Sequence, residues 1–310
     1  MAVDTFSPKR RYRAKHFKRN TVLYIFAAIF LIWILFPIWF TISSSFTNPS
    51  AIGIKPTPYF PANPTLDNYR IVLGLPIHGD QNCVPGVAIE KCSSAVSNVS
   101  INALIPTIMH SFLVSSAVVI LNLFLATLSA YALSRFPFKG SNFFFKSIIL
   151  SRIVPGLVLI SPIFIGLRVL NLLNTPYALI ISYTSFTLPL AIIILKNYFD
   201  QISRDMEEAA SVDGAGRLQT LLIIILPLAV PGLIATGVLI FLESWSEFFF
   251  ALVLTDAYTV PPLLAGFLGL QTFNWTLLSA ATVIALIPPV GMTLIFQKYI
   301  VAALSSGSGK

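Results

Sequence analysis

Apolar residues run through this chain in long stretches, without the alternation of a half-buried strand or the three-to-four spacing of a surface helix. Thr21 to Phe46 contains no Asp, Glu, Lys or Arg, and the only group in Thr107 to Ser134 that ionises near neutral pH is His110. A third run, Lys146 to Leu170, carries Arg152 and Arg168, and a fourth covers Pro176 to Leu195. The fifth, Leu218 to Phe241, continues through Glu243 and Glu247, and the sixth covers Leu277 to Phe296. A helix needs about 20 mostly apolar residues to cross the hydrocarbon core, so the pattern predicts six transmembrane helices. Barrel strands would alternate, whereas these runs are continuous, and each helix satisfies its own backbone hydrogen bonds in lipid. The fold class expected is an all-α polytopic membrane protein. Pro155, Pro162, Pro189, Pro227, Pro231, Pro288 and Pro289 fall in or beside the runs and are expected to mark kinks or helix ends.

Composition agrees with lipid as the solvent: 56% of the 310 residues are hydrophobic and only 10% charged, against about 25% charged in a soluble protein. The net charge of +8 does not point to nucleic acid, because the basic residues lie in short patches between apolar runs. Lys9, Arg10, Arg11, Arg13, Lys15, Lys18 and Arg19 precede the first run, and Arg135, Lys139, Lys146, Lys196, Arg204, Arg217 and Lys298 fall on the same side by alternation. Since cytoplasmic flanks are enriched in Lys and Arg, both termini are expected in the cytoplasm of a cell membrane protein. The organisation expected is a basic segment 1–20, a first transmembrane helix 21–46, an extracytoplasmic segment 47–106, a transmembrane core 107–300 with a loop at 200–220, and a cytoplasmic tail 301–310. A cleaved secretory signal is a poorer reading, because its apolar stretch is usually about 7 to 15 residues.

Segment 47–106 holds both cysteines, Cys83 and Cys92. On the oxidising face they can pair as a disulfide or stay as free thiols, but two cysteines without a His cluster do not make a zinc site. The sequon Asn98-Val99-Ser100 is too short a signal to assign a role.

Between the fourth and fifth runs the apolar pattern stops. Arg204, Asp205, Glu207, Glu208, Asp213 and Arg217 alternate with Met206, Ala209, Ala210, Val212 and Leu218, as in a short helix that offers polar and small apolar contacts to a partner. Gly214 can end such a helix, because a residue without a side chain accepts left-handed backbone angles.

Glu208-Ala209-Ala210, three residues, Gly214, nine residues, then Ile224-Ile225-Leu226-Pro227 resembles the EAA signature of binding-protein-dependent ABC importer permeases. The resemblance implies a type I importer transmembrane domain whose coupling helix, with Glu207, Glu208, Ala209, Ala210, Asp213, Gly214 and Pro227, docks on a cytoplasmic ATPase. It extends over nearly the whole chain and is closest to the carbohydrate branch, the second permease of maltose-type and trehalose-type systems. Leu128 to Phe136 is similar to the end of the family's second span, Glu243 to Phe248 to its Trp-Asn-Glu-Phe segment with Ser246 in place of Asn, and Phe296 to Leu304 to its closing segment. The implied partners are a second permease subunit, two copies of the ATPase, an extracytoplasmic substrate-binding protein, a sugar such as a di- or oligosaccharide, and lipid.

The chain contains no Gly-x-x-x-x-Gly-Lys-Ser/Thr phosphate loop, so no cofactor is expected on it, and ATP and Mg belong to the partner ATPase. Glu243 and Glu247, four apart, would share a helical face with Trp245 alongside, which offers a carboxylate and an aromatic surface to a sugar; packing or an ion pair with a neighbouring span would serve equally well. Arg152 and Arg168 are expected to snorkel to the interface. The competing function is a proton-coupled secondary transporter using Glu243, Glu247, Asp256 or His110, which would have no need of the docking signature and commonly shows two related halves. A catalytic site is not expected, because His16, His78 and His110 are scattered along the chain.

Overall fold

A computed structural model describes residues 8–48, 60–61, 63–75, 103–136, 138–256, 259–268 and 275–306, with side chains described between 23 and 302. Cys83, Cys92 and the sequon at 98–100 lie outside the described residues.

Every long apolar run is helical. α1 spans Pro8–Ser45, and after the short α2 (Asp67–Val72) comes α3, Leu104–Arg135. The third run is two helices, α4 (Ser141–Ser151) and α5 (Gly156–Val169), followed by α6 (Pro176–Phe199) and the short α7 (Asp205–Val212). α8 (Arg217–Thr220), a π-helical turn (Leu221–Ile225) and α9 (Leu226–Trp245) form one continuous rod. Two short helices, α10 (Phe249–Leu254) and α11 (Val260–Gly266), precede α12 (Trp275–Ala285) and α13 (Ile287–Ser306).

Five of these rods are long and apolar enough to cross a bilayer, and α4 with α5 is apolar and long enough only as a bent pair, a broken span or a re-entrant loop. The break falls at Pro155, one of the prolines expected to mark kinks or helix ends, and the two halves meet at 99°. Its chemical cause is legible locally. Pro155, extended at φ −61° and ψ 131°, is the N-cap of α5, and a proline biases the residue before it away from helical angles.

The core is a pairing of small residues with large ones. Along α3 the buried positions Ser111, Ser115, Val118, Asn122, Ala126, Ala130 and Ser134 recur about every four residues and form one face. α6 answers with Leu179, Tyr183, Thr187, Ala191, Leu195 and Phe199 at the same spacing, and these two helices make the most extensive helix pair in the chain. Small side chains let helices approach closely where lipid supplies no hydrophobic driving force between them. Asn122 Nδ2 donates across the pair to Thr187 Oγ1 at 3.0 Å. α9 packs on both helices and on α13. Gly232 of α9 lies so close to the Tyr198 ring that a Cβ there would sit 2.6 Å from the ring's Cγ.

α1 is peripheral. The apolar part, Leu23–Ser45, has none of its span window buried within the chain. It is fastened at its last turn, where Asn68 Nδ2 donates to the carbonyls of Ser45 and Thr47, both at 2.9 Å. There too the Tyr69 hydroxyl lies 2.6 Å from Ser45 Oγ.

Candidate functional site

α7 begins with three acidic residues in its first turn, Asp205, Glu207 and Glu208, which complements the positive end of the helix dipole. It ends in a Schellman closure: the N–H of Gly214 donates to the carbonyl of Ser211 at 3.1 Å, and that of Ala215 to the carbonyl of Ala210 at 2.9 Å. Gly214 has φ +82°, a left-handed angle that costs an L-residue about 1–2 kcal/mol. The glycine is thus the stop that fixes the helix's length and sends the chain back into α8.

The two faces of α7 differ. Ala210 is buried, and Glu207 turns inward. Glu208, Ala209 and Asp213 are exposed, and Met206 and Val212 leave 47% and 88% of their surface uncovered.

Glu207 holds α7 to the end of α3. Its Oε1 accepts from Arg135 Nε, with the side chains only 5% exposed on Arg135 and 16% on Glu207, and its Oε2 accepts from the Tyr131 hydroxyl at 3.4 Å. Arg135 Nη2 also donates to the Ile202 carbonyl at 2.9 Å. One residue earlier, Ser134 Oγ donates to Asp200 Oδ1 at 2.6 Å, and the other oxygen of Asp200 accepts from Lys196 of α6, also at 2.6 Å. Arg217 stacks its guanidinium over Phe136, 4.6 Å from the ring centroid. Between these groups lies a cavity of about 220 Å³, lined by Tyr131, Arg135, Glu207, Glu208, Ser211 and Arg217 among others. Arg135 and Tyr131 are functional candidates that sequence reasoning missed; their signal was a spacing of four on the last turns of a span, facing a loop of acidic residues.

Pro227, at the other end of the motif, sits in the first turn of α9 just after the π-helical turn. It has no N–H to give to the carbonyl four residues back, and the N–H of Leu226 instead reaches Leu221, five back.

The three residues considered for a ligand make separate contacts. α9 ends at Trp245, so Glu247 is not on a helical face with Glu243. It caps α10, accepting from the N–H groups of Phe250 at 3.0 Å and Ala251 at 3.2 Å. Trp245 is buried and stacks on Phe241, with centroids 5.6 Å apart. Glu243 pairs with Arg152 at 2.9 Å, which corrects the expectation that Arg152 snorkels to an interface. Arg168 is exposed at the end of α5. Among the described residues, no group of His, Cys, Asp and Glu is placed to hold a metal.

Residues 122–306 match the family described as binding-protein-dependent transport system inner membrane component. The chain is 35% identical over 298 residues to the trehalose/maltose transport system permease protein MalG of Thermococcus litoralis, covering 94% of this chain and 97% of that protein. It is 31% identical over 297 residues to the sulfoquinovosyl glycerol transport system permease protein SmoH of Agrobacterium fabrum, covering 95% of each. Among solved structures, a chain of a bacterial ABC transporter involved in the import of the acidic polysaccharide alginate superposes with a TM-score of 0.68. That match has 24% identity and covers 96% of this chain and 99% of that one.

Proposed function

Because the chain belongs to the family of binding-protein-dependent transport system inner-membrane components, we propose that it forms half of the translocation path of a sugar importer and docks an ATPase through α7. A multi-pass inner-membrane permease of an ABC importer works with a substrate-binding protein and ATPase subunits, and ATP hydrolysis belongs to those partners. The other half of the path is a second permease subunit, two ATPase copies serve the pair, and both termini lie in the cytoplasm. The substrate is a di- or oligosaccharide; the identity to a trehalose/maltose permease over 94% of the chain supports this.

The observation that carries the docking role is the division of α7 into two faces. Val212, 88% exposed, and Met206, 47% exposed, with the exposed Glu208 and Asp213, leave the outer side of a helix outside the spans free for a protein partner. On the opposite face Glu207 is tied through Arg135 to α3, and Asp200 links α3 to α6. A displacement of α7 by a closing ATPase dimer is therefore passed to two packed spans together, as alternating access requires.

The test is purification in mild detergent from native membranes. Wild type should carry an ATPase with a phosphate loop, and a Glu208→Lys, Gly214→Pro variant should lose it while remaining in the membrane. Wild type that purifies without an ATPase and moves solute down a proton gradient would overturn the reading in favour of a secondary transporter.

A further inference from the structure

The bend between α4 and α5 places a charged junction against α6 and α9. Arg152 caps the end of α4, and its Nη2 donates to Glu243 Oε1 of α9 at 2.9 Å. Its Nη1 donates to the Phe186 carbonyl of α6 at 3.3 Å, and its guanidinium lies 5.1 Å from the centroid of the Phe186 ring. Gly156, just past the break, approaches the same ring so closely that a Cβ would meet Phe186 Cε2 at 3.0 Å. Phe186 is near the middle of α6, and so near the middle of any bilayer that α6 spans.

Three observations set this junction apart from a structural ion pair. Irregular backbone at membrane depth is tolerated only where it is buried in protein or lines a water-filled cavity, and within this chain α4 has no buried residue and α5 only Leu167, so the bend faces the second permease subunit or the path between the two. The two side chains keep 27% and 32% of their surface open, and charges open to lipid are costly whereas charges open to a polar path are not. Finally, Glu243 Oε2 is buried and has no hydrogen-bond partner in the chain, so the carboxylate keeps an acceptor that the ion pair does not use.

We infer that Arg152, Glu243 and Phe186 form a binding subsite for a vicinal diol of a neutral sugar in transit. The guanidinium, which has donors beyond the two used here, donates to one hydroxyl oxygen, and the carboxylate accepts from the neighbouring hydroxyl. The Phe186 ring lies under the C–H face of the pyranose. The junction has one positive and one negative group, so it favours neutral over acidic sugars. The inference rests on the sugar-importer reading above and adds the residues and the charge class of the substrate.

The test uses the complete complex, purified with its own partner subunits and substrate-binding protein and reconstituted in proteoliposomes. Uptake of labelled trehalose, maltose and the acidic disaccharide digalacturonate is measured, and diazirine derivatives of trehalose and maltose are photolysed during turnover. Neutral uptake should exceed acidic uptake, and the label should fall on peptides containing Arg152 to Gly156, Phe186 or Glu243. An Arg152→Glu, Glu243→Arg exchange restores the ion pair with donor and acceptor swapped, so uptake should stay about tenfold or more below wild type, the loss expected for a misplaced charged hydrogen bond. Uptake restored by the exchange would make the pair a structural lock and overturn the inference. So would label confined to other parts of the complex, or preference for digalacturonate. If the exchange prevents assembly, the labelling of wild type decides alone. Wild type that moves none of the three sugars is a different failure: it removes the sugar reading, and the subsite with it.

Discussion

Arg135 and Glu207, 72 residues apart in sequence, form an ion pair that fastens α7 to the last turn of α3. Both side chains are largely covered, so neither charge is well hydrated without the other. Arg135→Gln removes the cation and leaves Glu207 with Tyr131 as its remaining side-chain donor. The cost expected is about 3 kcal/mol, the lower end for a buried pair broken on one side. The functional outcome is uncoupling: the reconstituted complex hydrolyses ATP but moves less substrate per ATP. Simultaneous counting of phosphate released and substrate taken up checks this, and an unchanged ratio would show that α7 is driven without this tie.

Gly214 offers a graded test of the Schellman closure. Alanine at φ +82° should cost about 1 kcal/mol, and asparagine less, because Asn tolerates left-handed angles better than other residues with a Cβ. Uptake is expected to fall in the order Gly, Asn, Ala, Pro, with membrane levels constant on blots. Equal uptake by Gly214→Ala would mean that the end of α7 is not held to its observed conformation.

Glu208 has no partner pairing it back to the bundle among the described ion pairs. Glu208→Lys should leave the thermal midpoint of the isolated permease within about 1 °C, since exposed substitutions stay within about 0.5 kcal/mol, while it abolishes ATPase capture. A large loss of thermal stability would assign Glu208 to the fold.

Gly232 probes the core without touching the site. Gly232→Val must push against Tyr198, and such overpacking costs about 1–3 kcal/mol. Gly166→Ala meets nothing within 4 Å and should be silent. Detergent melting curves of the two variants should separate clearly; coincident curves would deny the close α6–α9 approach.

Apolar run length made five crossings and the bent pair legible, because lipid leaves a helix few alternatives. The acidic helix and its glycine stop were legible for a related reason, since left-handed backbone has few acceptable residues. What escaped the sequence was contact between distant segments. Arg152 looked like a charge near the end of a run because Pro155 marks where the run can bend but not the angle, 99°, or the partner that the bend brings to it. Glu247 looked like a companion of Glu243 because the end of α9 at Trp245 has no strong stop signal in Glu243-Ser244-Trp245-Ser246. Arg135 was visible as a positive charge beside a span and as part of the segment similar to the end of the family's second span, but its partner lay two spans further along the chain.

The peripheral place of α1 bears on how the protein is made. With none of its span window buried against the rest of the chain, α1 can settle in lipid as soon as it leaves the ribosome, without waiting for α3 or α6. Its fastening needs Asn68 and Tyr69, a little over twenty residues later, so the anchor is set before the core exists to receive it. α12, the helix against which α1 packs, with the Phe40 and Trp275 ring centroids 6.3 Å apart, comes late in the chain, so α1 is made long before the surface that receives it.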